Sequence, residues 1–114
     1  MKAEVTVKEN YEFRRIYRKA RSAVAGALVV YCRRNPQGRS RLGVTVSTKV
    51  GKAVVRNRVR RRLREIYRLH LTQMKPGYDV VVVARVRAAV TTFAKLERTY
   101  LALLEQLQLL EKQP

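Results

Sequence analysis

A chain of 114 residues, 46% of them hydrophobic, is the size of one packed domain with a real core, and 26 basic against 8 acidic residues give it a formal charge of +18. Such a balance says little about fold and points to a polyanionic partner, nucleic acid first and an anionic membrane surface second. The single cysteine, Cys32, excludes an internal disulfide, and the longest apolar run, about residues 23–31, is too short to span a bilayer.

The opening MKAEVTVKEN lacks the apolar centre of a signal peptide, so a cytoplasmic location is expected. Residues 10–20 read as a short amphipathic helix. Phe13, Ile16, Tyr17 and Ala20 recur at helical spacing, with Arg14, Arg15, Arg18 and Lys19 on the other side. Residues 27–33 (ALVVYCR) are β-branched and aromatic and predict a strand. The polar connection NPQGRS, residues 35–40, leads to a second strand over 41–47 (RLGVTVS), in which Leu42, Val44 and Val46 alternate with small or polar residues. These two strands are expected to pair antiparallel.

After a loop over 48–52 (TKVGK) comes a helix over 53–71, whose segment VVRNRVRRRLREIYR holds seven arginines and one acid. At 100° per residue Val55, Val59, Leu63 and Ile66 share one face, with Tyr67 and His70 near its edges. Asn57, Arg61, Arg64 and Arg68 fall opposite; Arg56, Arg58, Arg60 and Arg62 lie on the flanks. Lys75-Pro76-Gly77 breaks the chain. Residues 78–85 (YDVVVVAR) form a near-continuous β-branched run that suits a central strand covered on both faces. Residues 92–110 are helical by the spacing of Leu96, Tyr100, Leu103, Leu107 and Leu110, with an irregular first turn expected. The order predicts a single α+β domain, a sandwich of helices on one sheet.

A protein nuclease working alone needs clustered carboxylates for metal ions or a pair of histidines. The eight acids are scattered, His70 has no second histidine, and Cys32 sits in a predicted strand as a core residue. Neither a phosphate-cradling loop of the G-x-x-x-x-G-K-[ST] type nor G-x-G-x-x-G occurs. No metal site and no self-sufficient active site are expected. Binding remains. Arginine meets phosphate with a fork of donors, and a helix with seven arginines and one acid has too little internal pairing to be an ordinary solvated face. The narrow β-branched stripe is needed for the core, which argues against a membrane surface. No helix-turn-helix signal favours DNA. Phe13, Tyr17 and Tyr31 could stack on unpaired bases if they share a groove. A basic ribosomal protein of similar habit is the alternative.

The stretch RLGVTVSTKVGKAVVRNRVRRRLRE, with the upstream VKENYEFRRIYRKA and VVYCRR and the later YDVVVVAR, resembles the protein subunit of bacterial ribonuclease P. The match runs from about residue 7 to 110, and Arg56-Asn57-Arg58 is its most specific part. The resemblance implies a four-stranded sheet in which the basic helix forms a left-handed crossover between parallel strands, against the usual hand. It implies a catalytic RNA subunit as partner, precursor tRNA as substrate, and Mg2+ acting in the RNA holoenzyme, with no cofactor bound by the protein alone. Carried onto matching positions, Phe13, Tyr17, Tyr31, Lys49 and Ala84 would bind the single-stranded 5′ leader, Ala84 from an edge strand. Arg56, Asn57, Arg58 and Arg61 would face the catalytic RNA, extended by Lys52, Arg62, Arg64 and Arg68. Lys52 stands where Asn can cap the basic helix, which leaves Gly51 as an alternative cap.

Overall fold

The computed structural model describes residues 20–111 together with Arg14, Ile16 and Arg18. These three are helical, within the helix expected over 10–20; Phe13 and Tyr17 lie outside the described residues. Four strands follow, β1 (Arg21–Ala25), β2 (Leu28–Arg34), β3 (Arg41–Val46) and β4 (Tyr78–Ala84). Two helices, α1 (Ala53–His70) and α2 (Phe93–Gln106), pack on them, and short 3-10 turns span Thr48–Val50, Leu71–Gln73 and Val86–Val90. The sheet is mixed, in the order β1-β2-β4-β3. The α+β class is as expected.

One expected pairing is corrected. β2 and β3 do not form a hairpin, because β4 lies between them, antiparallel to β2 and parallel to β3. The physical reason is the valine run. Val80, Val81 and Val82 are completely buried, so β4 needs a strand on each edge and cover on each face. The connection after β2 is therefore a bridge around the start of β4. Asn35 N–H donates to the Gly77 carbonyl at 2.8 Å, and Gly77 N–H donates to Ser40 Oγ at 3.3 Å. β1 is the fourth strand of the sheet that the resemblance implies, and no residue pattern had placed it. The apolar run over 23–31 conceals a two-residue hairpin loop between Ala25 and Leu28, in which Gly26 takes a positive φ of 52°.

One sheet face carries Leu28, Val30 and Cys32 of β2, Val80, Val82 and Ala84 of β4, and Leu42 and Val46 of β3 into the main core. Against it α1 buries Val59, Leu63, Ile66 and Tyr67, and α2 buries Leu96, Tyr100, Leu103 and Leu104. Each such leucine contributes roughly 2 kcal/mol by leaving water. Tyr67 belongs to the core, not to its edge. Burial pushes the Cys32 thiol up, against the pull of Arg21, so it is a small core residue. On the opposite sheet face, among the described residues, Val81 and Ile16 are buried, with Ala20, Tyr31 and Val83 packed against them.

At the far end of that second face stands a buried carboxylate. Arg33 and Arg41 are the direct cross-strand neighbours of Asp79. Arg41 grips it with two bonds, Nε to Oδ1 at 2.7 Å and Nη2 to Oδ2 at 2.9 Å, and Asn35 Nδ2 donates to Oδ1 at 3.0 Å. Arg33 Nε lies 3.4 Å from Oδ2. Burial alone would raise the Asp79 carboxyl, but the bonds from Arg41 and Asn35 and the charges of Arg41 and Arg33 outweigh it and hold the group below the usual carboxylate range.

The helices are fastened at their ends. α2 stops at Gln106, short of the expected 110, and Gln108 turns the chain at a φ of 59°. The chain then runs beside the residues that follow α1. Lys75 N–H donates to the Leu109 carbonyl at 2.7 Å and Glu111 N–H to the Gln73 carbonyl at 2.8 Å. His70 Nε2 lies 2.7 Å from Glu97 Oε2, joining the end of α1 to α2.

Candidate nucleic-acid interface

The outer face of α1 presents Asn57, Arg58, Arg61, Arg64 and Arg68 to solvent, on a helix whose inner stripe is locked into the core. The mount is rigid, so the spacing of these charges is set before any partner arrives. Arg60 Nη1 donates to Asn57 Oδ1 at 2.9 Å, which orients the exposed amide. Arg68 is paired with Glu65. Lys52 is the N-cap residue and makes no side-chain capping bond; Gly51 does not take that role. No acid occupies the first turn of α1, so its amide dipole adds to the positive field there.

Beside the start of α1 lies an open cleft of about 610 Å³, lined by Gly26, Ser47, Lys49, Val50, Ala84, Arg85, Val86 and Arg87. It sits where β3 and β4 end together. Its walls are the Thr48–Val50 turn and the segment leaving β4, with the β1–β2 loop contributing Gly26. Three cations therefore converge on one concave surface. Arg85 and Arg87 were not among the expected site residues; their signal was two arginines within three residues of the end of a largely buried strand.

The expected leader residues divide. Lys49 is exposed and lines the cleft. Ala84 lines it too, but the strand assignment is corrected: β4 is an inner strand, and Ala84, 2% exposed, belongs to the main core. Tyr31 faces the other side of the sheet, opposite Val81 in register and packed with Ile16. The residue is partly exposed. Phe13 and Tyr17 lie outside the described residues.

A family model described as Ribonuclease P matches residues 1–108 of the chain. The chain belongs to the ribonuclease P protein family. The ribonuclease P protein component of Natranaerobius thermophilus is 41% identical over 108 residues, covering 95% of this chain and 94% of that protein. That of Clostridioides difficile is 43% identical over 94 residues, covering 82% of each. The RNase P protein of Staphylococcus aureus has the same fold, with a TM-score of 0.87 at 31% identity over 96% of this chain and all of that one. The Thermotoga maritima RNase P protein gives 0.81 at 30% identity, over 89% of this chain and 96% of that one. As a ribonuclease P protein the chain is part of an endoribonuclease that processes tRNA, and its partner in that assembly is RNA. Among its described residues no helix is long and apolar enough to cross a membrane.

Proposed function

We propose that this chain binds both the catalytic RNA subunit of ribonuclease P and the 5′ leader of precursor tRNA, and so assists removal of the leader in the cytoplasm. The observation that supports this reading is a pair of adjoining basic surfaces of different shape. The exposed helix face of Asn57, Arg58, Arg61 and Arg64 is convex and suits a structured RNA backbone. The cleft of Lys49, Arg85 and Arg87 is concave and suits a single strand tracked by its phosphates. Cutting belongs to the RNA partner in this reading, and so does Mg2+. The described residues bring together no three His, Cys, Asp or Glu groups that would hold an ion.

The protein's contribution is then differential binding. Only the precursor has a leader to occupy the cleft, so precursor is favoured over product without any side chain touching the scissile bond. The experiment is to measure affinities of the RNA subunit for leader-bearing and leaderless tRNA with and without the protein. The protein should tighten the first by at least tenfold more than the second. Equal tightening of both removes the leader from the reading.

Tyr31 gives a narrower test. A leader running on from the cleft to the second sheet face would reach Tyr31, and base–aromatic stacking contributes about 1–3 kcal/mol per base, so Tyr31→Ala should weaken leader-bearing tRNA about tenfold. Affinity for the catalytic RNA should stay within twofold. Parallel losses in both would mean that the ring only packs on Ile16 and Val81.

A further inference from the structure

Not every arginine of α1 faces outward. Arg56 Nε donates to the Gly51 carbonyl at 3.1 Å in a half-buried position. Gly51 closes a tight turn in which Ser47 Oγ accepts from Lys49 N–H at 3.1 Å, Val50 N–H donates to the Ser47 carbonyl at 3.0 Å, and Gly51 N–H donates to the Thr48 carbonyl at 3.3 Å. The turn is pressed against the helix. A Cβ on Gly51 would lie 3.1 Å from Cβ of Val55, so a side chain there would push the turn away from the first turn of α1 by a few tenths of an ångström. Arg62 repeats the arrangement on the other side. Its Nη1 donates, over a longer 3.4 Å, to the carbonyl of Thr91, which ends the Val86–Val90 turn. These two turns hold the opposing walls of the cleft, Lys49 and Val50 on one side and Val86 and Arg87 on the other.

We propose that Arg56 and Arg62 are positioning residues: by donating to a backbone carbonyl of each wall they make the basic helix the strut that sets the gap between Lys49 and Arg87. The strut bears on leader binding through the cleft, and so rests on the function proposed above. Arg56 carries it furthest, because its bond is the shorter. Covalent structure makes the role testable. In lysine a methylene occupies the place of arginine Nε, so Arg56→Lys keeps the charge and loses the donor that reaches Gly51. A phosphate contact would survive that change in large part; a strut would not.

The test compares Arg56→Lys, Arg56→Gln and, as a reference from the exposed face, Arg61→Gln. Each is assembled with the catalytic RNA, and the salt dependence of assembly is measured together with the ratio of affinities for leader-bearing and leaderless tRNA. Amide exchange at Val50 and Gly51 is followed by NMR on the free proteins. Both Arg56 variants should exchange at least tenfold faster at these amides, keep the wild-type salt slope, and lose about fivefold in the leader ratio. Arg61→Gln should flatten the slope by about 0.7–0.9, one phosphate's worth, with exchange unchanged. Unchanged exchange in Arg56→Lys, or a flattened slope in Arg56→Gln with Arg56→Lys like wild type, overturns the strut. A wild-type protein that fails to distinguish the two tRNAs overturns the leader reading instead, and the exchange rates still decide the strut.

Discussion

Replacing Asp79 by asparagine is expected to remove about 3 kcal/mol of stability at neutral pH, which lowers the melting temperature by about 10 °C. The change leaves Arg33 and Arg41 facing one another across β4 with no anion between them. The loss lies at the low end for breaking a buried pair, because the two arginine side chains remain 15% and 18% exposed. The pH dependence has a definite sign. The folded-state carboxyl titrates below its unfolded value of about 3.9, so its stabilisation is complete above that pH and is lost as pH falls through the folded value. Urea melts of wild type and Asp79→Asn should therefore differ widely at pH 7 and draw together as pH falls below about 3.9. A gap that stays constant with pH would mean that the carboxylate's charge is not what holds the arginines.

The second large effect concerns assembly. Substituting Arg58, Arg61 and Arg64 together by glutamine should weaken binding to the catalytic RNA about 100-fold at 0.15 M salt. Each phosphate contact contributes a slope of about 0.7–0.9 in log K against log salt, which at that concentration is a factor of roughly 4–5 per contact. Three losses multiply to about 100 and flatten the slope by about 2–3. Melting should change by less than about 0.5 kcal/mol, since these side chains are exposed and the core stripe of α1 is untouched. A filter-binding titration across a salt series reads both quantities. Weaker binding with an unaltered slope would place these arginines away from phosphate.

Local patterns were legible in the sequence and non-local partnerships were not. The start of α1 at Ala53 and its Val59, Leu63, Ile66 stripe follow from helical spacing, and the valine run of β4 identifies an inner strand. That run does not say which two strands flank it, and β4 lies between β2 and β3. Strands adjacent in sequence usually pair, and that preference gave way to burial of β4. β1 escaped because Gly26 sits inside an apolar run and its turn has no polar marker. Asp79 looked like one of eight scattered acids because its partners Arg41 and Asn35 are 38 and 44 positions away. On the site, the exposed face of α1 was readable from the helical wheel. The cleft was not, since it joins three chain segments at the end of the sheet and needs Arg85 and Arg87 as much as Lys49.

The position of β4 between β2 and β3 fixes an order of manufacture. The strand that completes the middle of the sheet is the last one translated, about 40 residues after β3 ends. At roughly 5–20 residues per second that is an interval of roughly 2–8 s. The arginine-rich segment is made within that interval, so it exists before the floor beneath it is finished. Until the final valines arrive, nothing packs the inner stripe of that helix, and nothing fixes the spacing of its charges.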